Sequence, residues 1–87
     1  LVRQGRLARL RVTVPDQPGA LARLTAIIAQ GGGNIVDLYH LRAFAHVPAK
    51  SAEVDVAVET RDAGQVDAIV RALEADGFPA RRMEATG

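Results

Sequence analysis

The spacing of apolar residues changes abruptly at DQPGAL, residues 16–21. Before this point, apolar and polar residues alternate over 7–14, which is typical of a strand with one buried face. After it, Leu21, Leu24 and Ile28 recur at helical spacing. The chain must therefore turn directly from a strand into a helix. The free N–H groups at the helix start then face that turn.

Two further alternating stretches and one further helical stripe follow along the chain. The run GGGN, residues 31–34, ends the first helix, because consecutive glycines do not hold helical order. Asp62 with Gln65 resembles a capping box, and Gly77 stands where a second helix would end. We expect strands at 7–14, 35–45, 51–60 and, weakly and at a sheet edge, 78–84, with helices from about 18 to 30 and from 63 to 76.

This order predicts an α+β fold, a ferredoxin-like βαββαβ sandwich with a four-stranded antiparallel sheet and both helices on one face. Strands one and three then lie side by side at the centre. Their solvent faces carry opposite charges, which we expect to pair across the strands for roughly 0.2–1 kcal/mol each. The residues concerned are Arg9 and Arg11 on strand one and Glu53, Asp55 and Glu59 on strand three.

Composition excludes several classes of function. The 87 residues suffice for one domain, which we place at 7–84 between tails 1–6 and 85–87, as part of a longer protein. The absence of cysteine excludes a thiolate metal site and suits the cytoplasm. A net charge of +1, with one Tyr and two Phe, argues against nucleic acid and membranes as partners.

Catalytic residues are hard to find in this sequence. His40 and His46 are the only histidines, and neither has a serine or cysteine beside it to act as a nucleophile. We expect one to be a strand residue and the other a loop residue. We expect no catalytic and no metal-binding residue, although a small free-standing enzyme remains an alternative.

The segments DQPGAL, GGGNI and ETRD, in that order, resemble the ACT domain family, whose members are regulatory modules that bind amino acids and control metabolic enzymes. The resemblance runs from about residue 7 to 83. NIVDLYHLR and VDVAVETRD are similar, more particularly, to the C-terminal domain of threonine dehydratases. This resemblance implies a parent enzyme that uses pyridoxal phosphate, no cofactor in the domain itself, and isoleucine or valine as the first candidates for the effector.

The corner at 16–21 has the chemistry that an amino acid requires. Gly19 lets a ligand approach the backbone, and first-turn N–H groups suit a carboxylate, while Asp16 can accept hydrogen bonds from an ammonium group. The resemblance also implies that the site lies at the interface, or seam, between two domains. There Asn34 of one domain would contact the corner of the other. The predicted ligand-binding residues are Asp16, Pro18, Gly19, Ala20, Leu21, Asn34 and Ile35.

Local rules offer an interpretation of the same residues that needs no ligand. Asp16 could be only an N-cap, Gly19 only a turn residue, and Asn34 only a left-handed residue after the glycines. The domain would then serve assembly alone. On either interpretation we expect a homodimer or higher oligomer. We also expect ordinary helical angles at Gly19, so that alanine would be tolerated there.

Overall fold

The computed structural model describes residues 6–15, 17–41 and 51–83. Within them the elements follow the predicted βαββαβ order. They are β1 Arg6–Pro15, α1 Ala20–Gln30, β2 Asn34–Leu41, β3 Ser51–Thr60, α2 Ala63–Ala75 and β4 Ala80–Met83. The end of the predicted second strand, 42–45, lies outside the described residues. Neither helix is long and apolar enough to cross a membrane.

The strands form one antiparallel sheet in the order β2-β3-β1-β4. β1 and β3 pair without interruption from Arg6 opposite Thr60 to Pro15 opposite Ser51. β2 and β4 are the two edges, and a β-bulge interrupts β2 between Ile35 and Asp37. The fold class and the central position of strands one and three are confirmed.

The core lies between the helices and one face of this sheet. It is built from every second residue of β1 and β3, together with one stripe from each helix. The largest fully buried side chains are Leu10, Val12, Leu24, Ile28, Val54, Val56, Val58, Ile69 and Leu73. Leu21 was wrongly assigned to the stripe of α1, since it is 37% exposed while Ala20 is buried. Because α1 begins at Ala20, the positions facing the sheet are 20, 24 and 28.

Both ends of α2 follow the local rules. The Asp62 carboxylate accepts a hydrogen bond from the Gln65 amide at 2.9 Å, and Gln65 Oε1 accepts one from the Arg61 amide at 2.7 Å. At the other end Gly77 has φ +91°. The Phe78 amide donates to the Leu73 carbonyl at 2.9 Å, as in a Schellman motif. The predicted capping pair and terminal glycine are confirmed.

The glycine run after α1 has two separate causes. Gly32 takes the left-handed conformation, with φ +84°. Gly31 and Gly33 lack side chains because a Cβ on either would lie 2.7 Å from a core atom, Ile69 Cγ1 or Val58 Cγ1. Asn34 is not left-handed, as one interpretation had it: it starts β2, since Gly32 has already made the turn.

The solvent face of the sheet carries one of the predicted charge pairs. Arg11 Nε and Nη2 donate to the two Asp55 carboxylate oxygens at 2.7 and 3.0 Å. These hydrogen bonds lower the pKa of Asp55 despite its partial burial. Arg9 lies opposite Ala57 and forms no ion pair among the described residues.

Two alanine substitutions test this account of the glycines. We expect Gly33→Ala to destabilise the domain by about 1–3 kcal/mol, because the new methyl overlaps buried core atoms. Gly64→Ala is the control: the nearest atom to its Cβ is Asp62 Oδ1 at 3.6 Å, and alanine favours the helix by about 1 kcal/mol. Urea unfolding measures both. Equal stability of the two variants would contradict the packing argument.

Candidate functional site

The corner between β1 and α1 is held by backbone hydrogen bonds between residues that are close in sequence. The Gln17 amide donates to the Pro15 carbonyl at 2.9 Å, and the Ala20 amide donates to the Gln17 carbonyl at 3.2 Å. Gly19 is the N-cap of α1, with φ +87°. The expectation of helical angles at Gly19 was therefore wrong, because the chain needs a left-handed residue to turn from strand into helix. Gly19 holds the N-cap position of α1, and Asp16 lies outside the described residues.

The first turn of α1 contains hydrogen-bond donors that no described residue accepts. The first bond of the helix runs from the Arg23 amide to the Gly19 carbonyl at 3.0 Å. The amides of Gly19, Leu21 and Ala22 have no acceptor among the described residues. The first turn also contains no acidic residue. The partial positive charge at such a helix start favours an anionic group.

An open groove of about 480 Å³ lies beside these donors. One wall is the corner itself, and the other is the turn between α2 and β4. The lining residues are Pro15, Gln17, Pro18, Gly19, Ala20, Arg23, Asp76, Gly77 and Phe78. Arg23 Nε donates to Asp76 Oδ2 at 3.1 Å, so an ion pair joins the two helices at the groove.

Sequence reasoning missed the second wall of the groove. Asp76 and Phe78 are more than fifty residues from the corner in the chain. They reach it because β4 pairs with β1, and because the Thr13 amide donates to the Pro79 carbonyl at 2.9 Å. No local pattern signals this contact. The sequence analysis placed strand four only at a sheet edge and did not assign its neighbour.

The structure brings together only part of the predicted site. Pro18, Gly19 and Ala20 line the groove, whereas Leu21 contributes a free amide but does not line it. Asp16 lies outside the described residues, as does His46. The two predicted residues on β2, Asn34 and Ile35, are separate from the corner.

Asn34 lies at the opposite end of the sheet. It is opposite Glu59, and Glu59 is opposite Leu7, eight residues before Pro15. At about 3.3 Å per residue, that separation is roughly 26 Å. Asn34 Nδ2 donates to Glu59 Oε1 at 3.4 Å. Ile35, the next residue, packs against the core. Within one chain, the predicted site residues therefore form two groups that lie far apart.

Comparison with known proteins gives the family. The family model described as the ACT domain matches residues 8–78. The chain belongs to the ACT domain family. ACT domains are regulatory modules of the amino-acid-binding kind and are not themselves catalytic, so the predicted regulatory class is confirmed.

Two curated relatives of this ACT domain are L-threonine ammonia-lyases, the enzymes also called threonine dehydratases. The one from Thermotoga maritima is 37% identical over 81 residues, 93% of this chain and 20% of its own length. The one from Geobacter sulfurreducens is 36% identical over 78 residues, 90% of this chain and 19% of its own length. The chain thus spans about a fifth of the length of these relatives.

Solved structures confirm the fold of the ACT domain. The crystal structure of the ACT domain from the GTP pyrophosphokinase of Chlorobium tepidum superposes with a TM-score of 0.68. Its sequence is 14% identical, and the match covers 91% of this chain and 99% of that one. The likeness concerns the arrangement of strands and helices.

The left-handed angle at Gly19 leads to a stability prediction. Gly19→Ala should destabilise the domain by about 1–2 kcal/mol, since alanine resists a positive φ even though its Cβ would meet no atom within 4 Å. Gly19→Asn is the control, because asparagine accepts this conformation more readily. Thermal unfolding compares the two. An alanine variant as stable as the parent would show that the turn does not require a left-handed residue.

Proposed function

We propose that this ACT domain binds a small aliphatic amino acid, isoleucine or valine first, and regulates the threonine ammonia-lyase of which it forms a part. The observation that carries the proposal is an open groove beside the start of α1, where three amides have no acceptor among the described residues.

The carboxylate of the ligand would be held by the corner backbone. The amides of Gly19, Leu21 and Ala22 are the available donors, while the Ala20 amide already donates to the Gln17 carbonyl. Pro18 has no N–H group, so its part is to fix the shape of the turn. The lack of a side chain at Gly19 allows close approach to the backbone. This end of the ligand would be the same for every amino acid.

The ammonium group of the ligand would be held by Asp16. Asp16 precedes Gly19 by three residues in the sequence, so we expect its carboxylate to lie in the same corner as these amides. A carboxylate and an ammonium ion form a charge-assisted hydrogen bond, which is stronger than a neutral one. Together with the amides, Asp16 would select a zwitterion over a simple carboxylic acid.

The second group of predicted residues would come from a partner copy. An antiparallel pairing of two β2 edges would reverse one strand relative to the other, so that the partner's Asn34 and the partner's Ile35 approach the end of the sheet where the corner lies. The free edge of β2 supports this arrangement. The effector site would then lie at the seam of a homodimer or larger oligomer.

The remaining functions belong to the parent protein. We infer a cytoplasmic enzyme whose catalytic part lies outside residues 7–84, with 1–6 and 85–87 as connecting or terminal segments. Pyridoxal phosphate, which supplies carbanion stabilisation in such enzymes, is attached through a lysine. The one lysine of this chain, Lys50, lies outside the described residues, and no described residue offers that attachment. The similarity to threonine ammonia-lyases supports our proposal that the cofactor belongs to the catalytic part.

Calorimetric titration with each of the twenty amino acids tests the proposal. We expect isoleucine or valine to bind, and Leu21→Pro to weaken binding roughly ten- to hundredfold by removing one donor to a charged group. Proline is tolerated in the first turn of a helix, and the Leu21 amide has no partner to lose among the described residues. Leu21→Ala is the matched control, because it removes the same side chain but keeps the amide.

The control variants separate the possible failures. Equal binding by the alanine and proline variants would contradict recognition through the Leu21 amide. Asp16→Asn should weaken binding without altering stability, since it removes only the charge that an ammonium group seeks. No heat from any amino acid would contradict the effector site and leave assembly as the role of the domain.

A further inference from the structure

The solvent face of the sheet, which we call the outer face, is divided into a basic half and an acidic half. Strand register fixes which residues share this face. The basic half lies on β1 and β4 and carries Arg9, Arg11 and Arg81; the acidic half lies on β3 and β2 and carries Glu53, Asp55, Glu59 and Asp37. Net charge gives no hint of this division, because the two halves largely cancel.

Within one chain, only part of this charge is neutralised. Arg11 pairs with Asp55, but Arg81 lies directly opposite Arg11 on the other side. Like charges at opposite positions of a sheet repel each other. Neither Arg9 nor Arg81 forms an ion pair among the described residues. The basic half is therefore left with charge that a carboxylate from another molecule could neutralise.

Apolar groups are also exposed on this face. Leu7, on β1, is 65% exposed, and Tyr39, on β2, is 53% exposed. The Tyr39 hydroxyl donates to Asp37 Oδ2 at 3.2 Å, so the ring is tied to the acidic half. Exposed large apolar side chains near charged groups are typical of a surface that contacts another protein.

We propose that the outer face packs against the outer face of a second copy, with a two-fold axis parallel to the strands. One row of neighbouring residues across the four strands shows how the charges would match. It reads Tyr39, Asp55, Arg11, Arg81 from β2 to β4. A two-fold rotation about an axis along the strands places this row over the same row of the partner, read in the opposite order. Arg11 then lies over the partner's Asp55, and Arg81 over the partner's Tyr39.

The charge pattern selects this axis over the alternative. A two-fold axis across the strands would place the basic half on the basic half, where the like charges repel. With the axis along the strands, each half meets its opposite, and an arginine meets the face of a tyrosine ring. Packed sheets lie about 10 Å apart, a distance that arginine and tyrosine side chains span from both sides.

The size of the outer face sets the strength of this contact. Four strands about 4.8 Å apart, each contributing roughly 25 Å of length, offer on the order of 500 Å² per copy. Two copies would bury about 1,000 Å², at the lower limit for specific interfaces. We therefore expect a weak pair that dissociates as salt screens its charges. This surface is separate from the corner and from the β2 edge, so the proposal goes beyond effector binding.

Two complementary variants of the chain test it by sedimentation. Arg9→Glu with Arg81→Glu makes the outer face mainly acidic, with Arg11 the one arginine left on it among the described residues, and Asp37→Arg with Glu53→Arg makes it mainly basic. We expect each alone to lose the salt-sensitive association of the parent, with the dissociation constant raised at least tenfold. An equal mixture of the two should restore it, because an acidic face then meets a basic one. Circular dichroism verifies that each variant is folded.

Arg61→Glu with Arg71→Glu is the matched control, since it makes the same change of charge at exposed positions on and just before α2. We expect this control to associate as the parent does. The proposal is overturned if the parent shows no salt-sensitive association, or if both outer-face variants associate as it does. It is also overturned if the mixture stays dissociated, which would point to a different partner for this face.

Discussion

The uninterrupted pairing of β1 with β3 is the constraint on which the rest of the domain depends. Its ten-residue register sends Val54, Val56 and Val58 to the core face and leaves Arg11 beside Asp55 on the outer face. The same register fixes the end of β1 at Pro15, and thus the place where α1 must begin. A slip of one residue would exchange the two faces of the strand. The core, the Arg11–Asp55 charge pair and the corner therefore all depend on this one register.

The elements could be predicted because each is encoded by neighbouring residues. Alternation gave the strands, and Asp62, Gln65 and Gly77 marked the ends of α2. Contacts between distant segments could not be predicted in this way. The overlap that a Cβ at Gly33 would make with Val58, and the ion pair of Arg23 with Asp76, exist only after the sheet has formed. The left-handed angle at Gly19 was missed because glycine fits both a turn and a helix start.

The candidate site was predicted in part, and there is a physical reason why its residues form two separate groups. The corner residues follow one another in sequence, so their proximity needed no knowledge of the fold. Asn34 stands at the far end of the sheet, because α1 runs the length of β1 before β2 begins. Residues so placed can meet only if a second copy supplies one of the groups. In the proposed site, effector binding and self-association would be linked, because a ligand bound between two copies would stabilise the oligomer.

We propose above all that the amides of Gly19, Leu21 and Ala22 bind the carboxylate of an amino acid. Backbone amide NMR spectra of the isotopically labelled chain, recorded during titration with isoleucine, test it most directly. We predict that the largest chemical-shift changes occur at Gly19, Leu21 and Ala22. The amide of Asn34 should shift as well, because Asn34 would contact the ligand bound at the partner's corner. Saturable shifts confined to other residues, with these amides unchanged, would contradict the account.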